Sequence, residues 1–406
     1  MIAQLLGRLT AALPRGPEGL VWWLVLVQSL GITAVLPVLP LYASEQGADL
    51  HFVGLMVGAY MATSLVCQYP AGWLSDRFGR RGLMFAGLAA YALASLGFLV
   101  FRSPEAFVVL RGIEGIAGAC FTPAALAYVA DRAPEGERGR RLAHLTVAQN
   151  GGMLVGPAIG GALASLCGLA SPFVALAVLC LGGALLTARL PGAGRAAARE
   201  RHREQAMSGA GWAEVRWALF TGLAARALAG GFAMGLYESV WALYLKDLGA
   251  STWLISMSWT AFALPAIVLA GVAGRLIDST GPARLVVWGT LFSSLLVASY
   301  AMTERIEVVL FLSVIDGIGF AFAYPAQNAL TMLVSPEALR GRVIGLVAGI
   351  STLGALVGAV LTPPLLGRGP VWCFGAGGAV LFASGLVLAA AVSIEGKKTR
   401  LSPQAQ

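Results

Sequence analysis

The sequence predicts an all-α polytopic membrane protein with twelve spanning helices in two similar bundles of six. Apolar residues make up 58% of the 406-residue chain and charged residues only 12%, about half of the charged share of a typical soluble domain. Long apolar runs recur along the whole chain, and the second half repeats landmarks of the first at a constant spacing.

Twelve apolar runs are candidates for spanning helices, because about 20 apolar residues are needed to cross the hydrocarbon core. They cover residues 20–43, 51–74, 82–101, 105–130, 142–166, 170–190, 217–245, 251–276, 284–302, 306–334, 343–366 and 370–394. The first run is longer than the apolar region of a signal peptide, and no small-residue cleavage site closes it. We therefore expect it to be a spanning helix.

The loops between the runs differ in charge, which predicts the side of the membrane on which they lie. The loops at 44–50 and 167–171 contain no Lys or Arg, whereas those at 76–81 and 131–141 contain three and four. The central stretch 189–216 contains six. Basic loops favour the cytoplasmic side, so we expect a plasma (inner) membrane protein with both termini in the cytoplasm.

Landmark residues of the first half recur 202 positions later. Examples are Gly72, Asp76, Gly79, Glu114, Gly115 and Pro123, which recur as Gly274, Asp278, Gly281, Asp316, Gly317 and Pro325. Such a parallel repeat places a twofold axis along the membrane normal and a substrate site between the halves. The expected organisation is a cytoplasmic N-terminus, two six-helix bundles joined by a cytoplasmic linker, and a cytoplasmic tail, at 1–19, 20–190, 191–216, 217–394 and 395–406.

The loop after the second run reads Gly72-Trp73-Leu74-Ser75-Asp76-Arg77-Phe78-Gly79-Arg80-Arg81. It resembles the signature loop of the major facilitator superfamily, and the helix number, the duplication and the central stretch extend the resemblance over the whole chain. The resemblance implies a cytoplasmic gate motif formed by Gly72, Asp76, Arg77, Gly79, Arg80, Asp131 and the repeat-related Asp278. We expect Asp131 to pair with Arg77. Alternatively, the arginines serve only to orient the chain in the membrane.

Two further stretches resemble the twelve-helix drug/proton antiporters of that superfamily. One is Pro37-Val38-Leu39-Pro40 in the first run, and the other is the fifth-run motif Gly152, Gly156, Pro157, Gly160 and Gly161. The resemblance associates the second motif with antiporters rather than symporters. Its glycines allow close helix approach and its proline kinks the helix. By itself this pattern would also fit a simple packing face, and Ala143 stands where the family has one more Gly.

Five ionisable residues lie well inside the predicted spans, away from their ends, where charge is costly and marks functional sites. They are Arg111, Glu114, Arg226, Glu238 and Asp316. Arg111 and Glu114 are three residues apart and can pair on one helix face, and the family resemblance assigns this Arg to proton coupling. Glu114 and Asp316 are repeat equivalents, so we expect them to face each other across the twofold axis.

A carboxyl group removed from water favours its neutral form, and a nearby cation opposes this. Arg111 has this effect on Glu114, so Glu238 and Asp316 are the better candidates for carrying the coupled proton. The alternatives are a purely structural Arg111–Glu114 pair and a position of Glu238 at an aqueous mouth. We expect Arg226 to extend to the cytoplasmic interface.

Polar and aromatic residues on the same spans predict an amphipathic, net acidic cavity that suits lipophilic cations. They are Gln28, Tyr128, Asn150, Tyr237, Tyr324 and Gln327. Each alone would also fit packing or interhelical hydrogen bonding. The sequence favours a proton-coupled efflux antiporter of small amphipathic compounds, cationic or neutral. A narrow exporter or a proton symporter of a metabolite, sugar or lipid stays open as the alternative.

The sequence contains no motif that indicates another functional class. The sequence has no Walker-type loop, HExxH or GxSxG, so we expect neither an enzyme nor a cofactor. Five cysteines, with no CxxC spacing, predict packing rather than a metal site or disulfide. The net charge of +8 resides in short loops, which argues against nucleic-acid binding. The expected partners are the bilayer, protons and a small-molecule substrate, and we expect a monomer.

Overall fold

The structure, a computed structural model, describes residues 16–134, 136–192, 215–336 and 339–401, with only the backbone at residues 76 and 396–401. The predicted N-terminal segment and most of the linker therefore lie outside the described residues. The first seven α-helices are α1 (Pro17–Val35), α2 (Leu39–Glu45), α3 (Leu50–Phe78), α4 (Arg80–Val100), α5 (Pro104–Arg132), α6 (Arg138–Cys167) and α7 (Ser171–Thr187). The others are α8 (Trp217–Leu236), α9 (Ala242–Asp247), α10 (Thr252–Val268), α11 (Ala270–Thr280), α12 (Pro282–Ser299), α13 (Ile306–Val334), α14 (Arg340–Gly367) and α15 (Pro370–Leu401).

Each predicted apolar run coincides with helical structure. Within the described ranges, ten helical stretches are long and apolar enough to cross a membrane, and α10 with α11, bent by 55°, makes an eleventh. The apolar helix α7, with 17 residues, is just shorter than these. The predicted all-α class is confirmed, and the last helix continues beyond residue 394 to Leu401.

Three predicted runs are interrupted rather than continuous. The first breaks between α1 and α2 at residues 36–38, because Pro37 lacks an N–H and its ring disturbs the preceding turn. At the repeat-equivalent position, α8 passes into α9 through a π-helical turn, Tyr237–Trp241. The third break is the bend between α10 and α11, which lies between Pro265 and Gly271.

Helix ends are set by the same chemistry in both halves. The Asp49 carboxylate accepts a hydrogen bond from the Phe52 N–H at the start of α3, and 202 residues later Ser251 Oγ accepts one from the Leu254 N–H at the start of α10. Such caps satisfy amide groups that have no partner within the helix. The ends of α3 and α11 are formed by Gly79 and Gly281, with φ of 93° and 83°. Only glycine adopts this backbone conformation without strain.

A buried tyrosine hydrogen bond also recurs in the two halves. The Tyr42 hydroxyl donates to the Phe98 carbonyl at 2.8 Å, and the Tyr244 hydroxyl donates to the Tyr300 carbonyl at 2.7 Å. Both donors and both acceptors are 202 residues apart. The repeat detected in the sequence is therefore present in the packing.

The helices of residues 17–187 pack mainly on one another, as do those of residues 217–401. We refer to them as the first and the second helix group; the exact bundle bounds stay a prediction. The groups meet chiefly where α3 packs on α14 and α6 packs on α10. At Gly54 a side-chain Cβ would lie 2.7 Å from the Ala359 carbonyl oxygen, so the backbones of α3 and α14 are in direct contact.

The two groups separate towards the end that carries the Arg-rich loops 76–81 and 131–141, which we term the basic end. Leu50 lies beside Gly367 and Leu65 beside Gly349, so α3 and α14 stay together over this length. Further towards the basic end, a Cβ added at Gly72 of α3 or at Gly345 of α14 would meet no atom within 4 Å, and Tyr69 of α3 is 89% exposed. At the opposite end α2 contacts α9. The cleft between the groups therefore opens at the basic end and is closed at the other.

Tyr42→Phe and Tyr244→Phe each leave a buried carbonyl without its donor, which we expect to cost about 1 kcal/mol of stability. Both variants should lower the thermal unfolding midpoint of the detergent-purified protein by similar amounts. The exposed Tyr69→Phe serves as the control and should leave the midpoint unchanged. A loss in only one of the two buried variants would contradict an equal role in the two halves.

Candidate functional site

The first charged site lies on α5. Arg111 Nη1 donates to Glu114 Oε2 at 2.8 Å, and both side chains are buried. The guanidinium also lies 4.4 Å from the centre of the Tyr60 ring of α3, a cation–π distance. The predicted pairing on one helix face is confirmed. Glu114 Oε1 has no hydrogen-bond partner within the described part of the chain.

Glu238 lies on the π-helical turn and is only 7% exposed. It has neither a hydrogen bond nor an ion pair with any described residue. Its electrostatic neighbour is Arg111, which belongs to the first helix group. Glu238 is therefore a buried carboxyl group at the boundary between the groups, not at an aqueous mouth. π-helical turns are rare and frequently occur at functional sites.

Asp316 is held by hydroxyl groups. Its Oδ2 accepts hydrogen bonds from the Tyr237 hydroxyl at 2.8 Å and the Tyr300 hydroxyl at 3.4 Å, and its Oδ1 accepts one from Ser293. All three donors belong to the second helix group, and the side chain is buried. The expectation that Asp316 faces Glu114 stays a prediction.

The expectation that Arg226 extends to the interface was wrong. Its side chain is buried, and its Nε donates to Thr290 Oγ1 at 2.6 Å. Asp316 lies within electrostatic range. The buried hydroxyl of Thr290 gives the guanidinium an acceptor inside the second helix group. Sequence spacing alone does not reveal it, because α8 and α12 are far apart along the chain.

Four aromatic rings form a continuous row from Asp316 towards the open cleft. The ring centres of Tyr237 and Phe262 are 6.2 Å apart, those of Phe262 and Phe320 5.5 Å, and those of Phe320 and Tyr324 5.1 Å. Tyr324 is 51% exposed. We term these four residues the aromatic row. Phe262 and Phe320 were missed in the sequence, although Asp316, Phe320 and Tyr324 follow the four-residue spacing of one helix face.

The other residues predicted to line the cavity are distributed differently. Asn150 is exposed, Gln327 is partly exposed and Gln28 is buried. Tyr128 is fully buried at the basic end, where its hydroxyl donates to the Pro191 carbonyl at 3.0 Å. It fastens the chain that leaves α7, so it does not line the cleft in this conformation.

The gate motif forms a cluster at the basic end, with a different pairing from the expected one. Arg80 Nε lies 3.3 Å from Asp131 Oδ2, whereas the Arg77 guanidinium lies over the Trp73 ring at 5.3 Å. Asp131 therefore pairs with Arg80 and not with Arg77. The turn at Gly79 places Arg80 at the start of α4, which packs against α5. Gly72 lies further back on α3, and the side chain of Asp76 is outside the described residues.

The repeat-related loop in the second half does not form the same cluster. Asp278 is exposed on α11, without a hydrogen bond or ion pair to the residues that the structure describes. Its helix lies beyond the 55° bend from α10. The two halves thus share a backbone pattern here but differ in side-chain contacts.

The fifth-span glycines bring α6 against its neighbours. A Cβ at Gly152 would lie 2.7 Å from the Leu30 nitrogen, and one at Gly156 would lie 2.7 Å from the Leu30 carbonyl oxygen. Gly160 faces the α1 backbone at Ala34 in the same way. Gly161 instead faces Ser256 of α10, across the boundary between the helix groups. Pro157 lies within α6, between Gly156, which faces α1, and Gly161, which faces α10.

Gly156→Ala would force the new methyl group against Leu30 and Thr33 of α1, and we expect a loss of about 1–3 kcal/mol. The matched control on the same helix is Gly151→Ala, where the new Cβ would meet only Leu26 Cδ1 at 3.7 Å, an ordinary contact. Thermal unfolding of both purified variants should show a lower midpoint for Gly156→Ala alone. Equal midpoints would argue against tight packing of α1 on α6.

Comparison with known proteins identifies the family. The family model of the Major Facilitator Superfamily matches residues 21–258 and 223–406. Quinolone resistance protein NorA of Staphylococcus aureus is 21% identical over 341 residues, covering 83% of this chain and 86% of that protein. Multidrug resistance protein 1 of Bacillus subtilis is 27% identical over 341 residues, covering 82% and 84%.

The fold matches solved structures of the same class. The crystal structure of a D-xylose-proton symporter superposes with a TM-score of 0.74 at 16% identity, covering 91% of this chain and 96% of that one. At this identity the match concerns the fold alone. Together with the family model and the apolar helices, it establishes a multi-pass integral membrane protein that moves small molecules and is not an enzyme. The chain belongs to the Major Facilitator Superfamily of transporters.

Proposed function

We propose that this transporter is a proton-driven efflux antiporter of small amphipathic compounds, cationic or neutral, that works by alternating access. The observation that carries the proposal is Glu238, a buried carboxyl group without a hydrogen bond, opposite Arg111 across the boundary between the helix groups. When ionised, Glu238 attracts Arg111. When protonated, it loses this attraction. Protonation therefore changes the force between the two groups that must separate during transport.

This arrangement fits exchange. An empty carrier with ionised Glu238 keeps the electrostatic attraction to Arg111, which favours the closed end seen in this structure. A proton on Glu238, or a cationic substrate near it, weakens this attraction. The carrier then changes conformation mainly when it holds a proton or a substrate, which is the requirement for obligatory exchange, because a ligand shifts an equilibrium only through its differential affinity for the two states.

Asp316 supplies the second proton site of the proposal. When ionised, it accepts three hydroxyl hydrogen bonds; when protonated, it must itself donate one, and the donors must rearrange. One donor is Tyr237, which begins the aromatic row and directly precedes Glu238. A substrate ring on the aromatic row and a proton on either acid therefore act on the same turn of helix.

We propose that substrates enter the cleft at its open end and are exported. The basic end is the cytoplasmic end by the distribution of Arg and Lys, so the cleft admits compounds from the cytoplasm and exposes Tyr324 to them. The proposal includes an inner-membrane location, cytoplasmic termini, the two six-helix bundles bounded as predicted, and a monomer. It also includes a gating role for the Arg80–Asp131 cluster, whose contacts change when the basic end closes. Relatives named for quinolone and multidrug resistance support export.

The test uses everted membrane vesicles with an acidic lumen and a panel of lipophilic cations and neutral amphiphiles. Substrate-evoked collapse of the pH gradient should occur with the wild type and fall at least tenfold with Asp316→Asn and with Glu238→Gln. Glu307→Gln, which removes an exposed acid from the same helix as Asp316, is the matched control and should behave as the wild type does.

Unchanged proton exchange and pH dependence in both acid variants would refute the assigned proton sites. If no compound of the panel evoked proton release in wild-type vesicles, the antiport of amphipathic drugs would be wrong. The alternative would then be a narrow exporter or a proton symporter, to be sought with metabolites, sugars and lipids.

A further inference from the structure

Arg226 has more hydrogen-bonding capacity than the protein uses. The residue is 8% exposed, and Thr290 Oγ1, at 2.6 Å from Nε, is its one hydrogen-bond partner among the described residues. A guanidinium group carries five N–H donors, so the four on the terminal nitrogens have no acceptor among the residues that the structure describes. An ionisable group inside a membrane span is a functional-site candidate by default, and this one lacks a partner for its fork of donors.

Asp316 does not fill that role. It lies within electrostatic range of Arg226, but its oxygens accept hydrogen bonds from Tyr237, Tyr300 and Ser293. Thr290 and Ser293 are three residues apart on α12, so two hydroxyl groups about one helical turn apart hold the guanidinium and the carboxylate separately. The terminal N–H donors of Arg226 therefore stay available to another acceptor, although Asp316 compensates part of the charge.

The guanidinium of Arg226 lies where a side chain at position 230 would otherwise project. Gly230 lies one turn beyond Arg226 on α8 and is partly exposed. A Cβ added at Gly230 would fall on Arg226 Nη1, so the guanidinium occupies the side where a larger residue would project. The guanidinium therefore lies against a partly exposed backbone position of α8.

The position of Arg226 in depth matches that of the exposed aromatic ring. The hydrogen bond from Tyr237 to Asp316 fixes the level of α8 against α13. Towards the basic end from that level, Gly230 is seven residues along α8 and Tyr324 is eight residues along α13. At 1.5 Å per residue these steps are about 10 and 12 Å, so the guanidinium beside Gly230 and the Tyr324 ring lie at a similar level along the helices.

We propose that Arg226 forms an anion subsite of the transport cavity, which binds the carboxylate of an aromatic substrate whose ring packs on Phe320 and Tyr324. The planar donor fork matches the two oxygens of a carboxylate. The inference rests on the proposed transport function and extends its substrates to aromatic acids and zwitterions. A basic amine on the same molecule would be directed towards the acids at the closed end of the cleft.

The test uses two dyes that share one ring system, rhodamine 110, with a free carboxylate, and rhodamine 123, its methyl ester. Fluorescence anisotropy of each dye with the detergent-purified full-length chain gives the two dissociation constants. We expect the wild type to bind rhodamine 110 more tightly than the ester. Arg226→Gln should weaken rhodamine 110 about tenfold or more, as for loss of a charged hydrogen bond, and change the ester less than about twofold.

Two further variants separate the subsite from a general loss of structure. Arg226→Lys keeps the charge but not the fork, and should give an intermediate affinity for rhodamine 110. Gly230→Ala displaces the guanidinium without removing it, and should weaken rhodamine 110 alone. Arg305→Gln, which removes an exposed positive charge, is the control and should change neither dye. Retained binding of the ester shows that each variant is folded.

A wild type without preference for the acid, or an equal loss of both dyes in Arg226→Gln, overturns the anion subsite. The second result would mean that Arg226 supports the fold or Asp316 instead. These outcomes leave the antiport proposal untouched, because that proposal depends on proton release in vesicles. Conversely, dye discrimination by Arg226 without any substrate-evoked proton release would support the subsite and refute antiport.

Discussion

Charges inside the helix groups must find their partners within the protein, because the surrounding lipid supplies neither water nor counter-ions. This constraint accounts for most of the polar structure described here. Arg111 pairs with Glu114 and lies over Tyr60, Asp316 is surrounded by three hydroxyl groups, and Arg226 is tied to Thr290. Glu238, which has only a distant electrostatic neighbour, and the terminal nitrogens of Arg226 depart from the pattern. A group left incompletely satisfied by the fold is available to a mobile proton or substrate.

Features that depend on neighbours in sequence were predictable. The spanning runs follow from composition, and the Arg111–Glu114 pair follows from a spacing of three residues. Pro37 and Pro40 are local signals of a helix break, but the run that contains them was predicted as one continuous helix. The π-helical turn has no such marker: no proline lies within Tyr237–Trp241, and its extra width depends on packing against other helices.

Features that depend on distant segments were not predictable from a single sequence. The burial of Arg226 was not predicted, because its acceptor Thr290 comes 64 residues later and the sequence does not show that the two meet. The hydrogen bond from Tyr128 to the Pro191 carbonyl was not predicted either, because Pro191 lies in the chain after α7. Similarly, the choice between Arg77 and Arg80 for Asp131 depends on the turn at Gly79 and on the packing of α4 against α5. In each case the polar residue was identified from the sequence, but the partner of its side chain depends on how distant helices pack.

The π-helical turn between α8 and α9 gives the closed end a particular freedom. A π turn contains one residue more than an α turn, so its return to α-helical winding would rotate α9 by about 100° and shift it by about 1.5 Å relative to α8. α9 contacts α2 at the closed end, where the first half has a proline break instead of a π turn. The closed end therefore joins a helix interrupted at Pro37 in one half to a helix with a π turn in the other, so any opening of this end would bend the first helix but rotate the second.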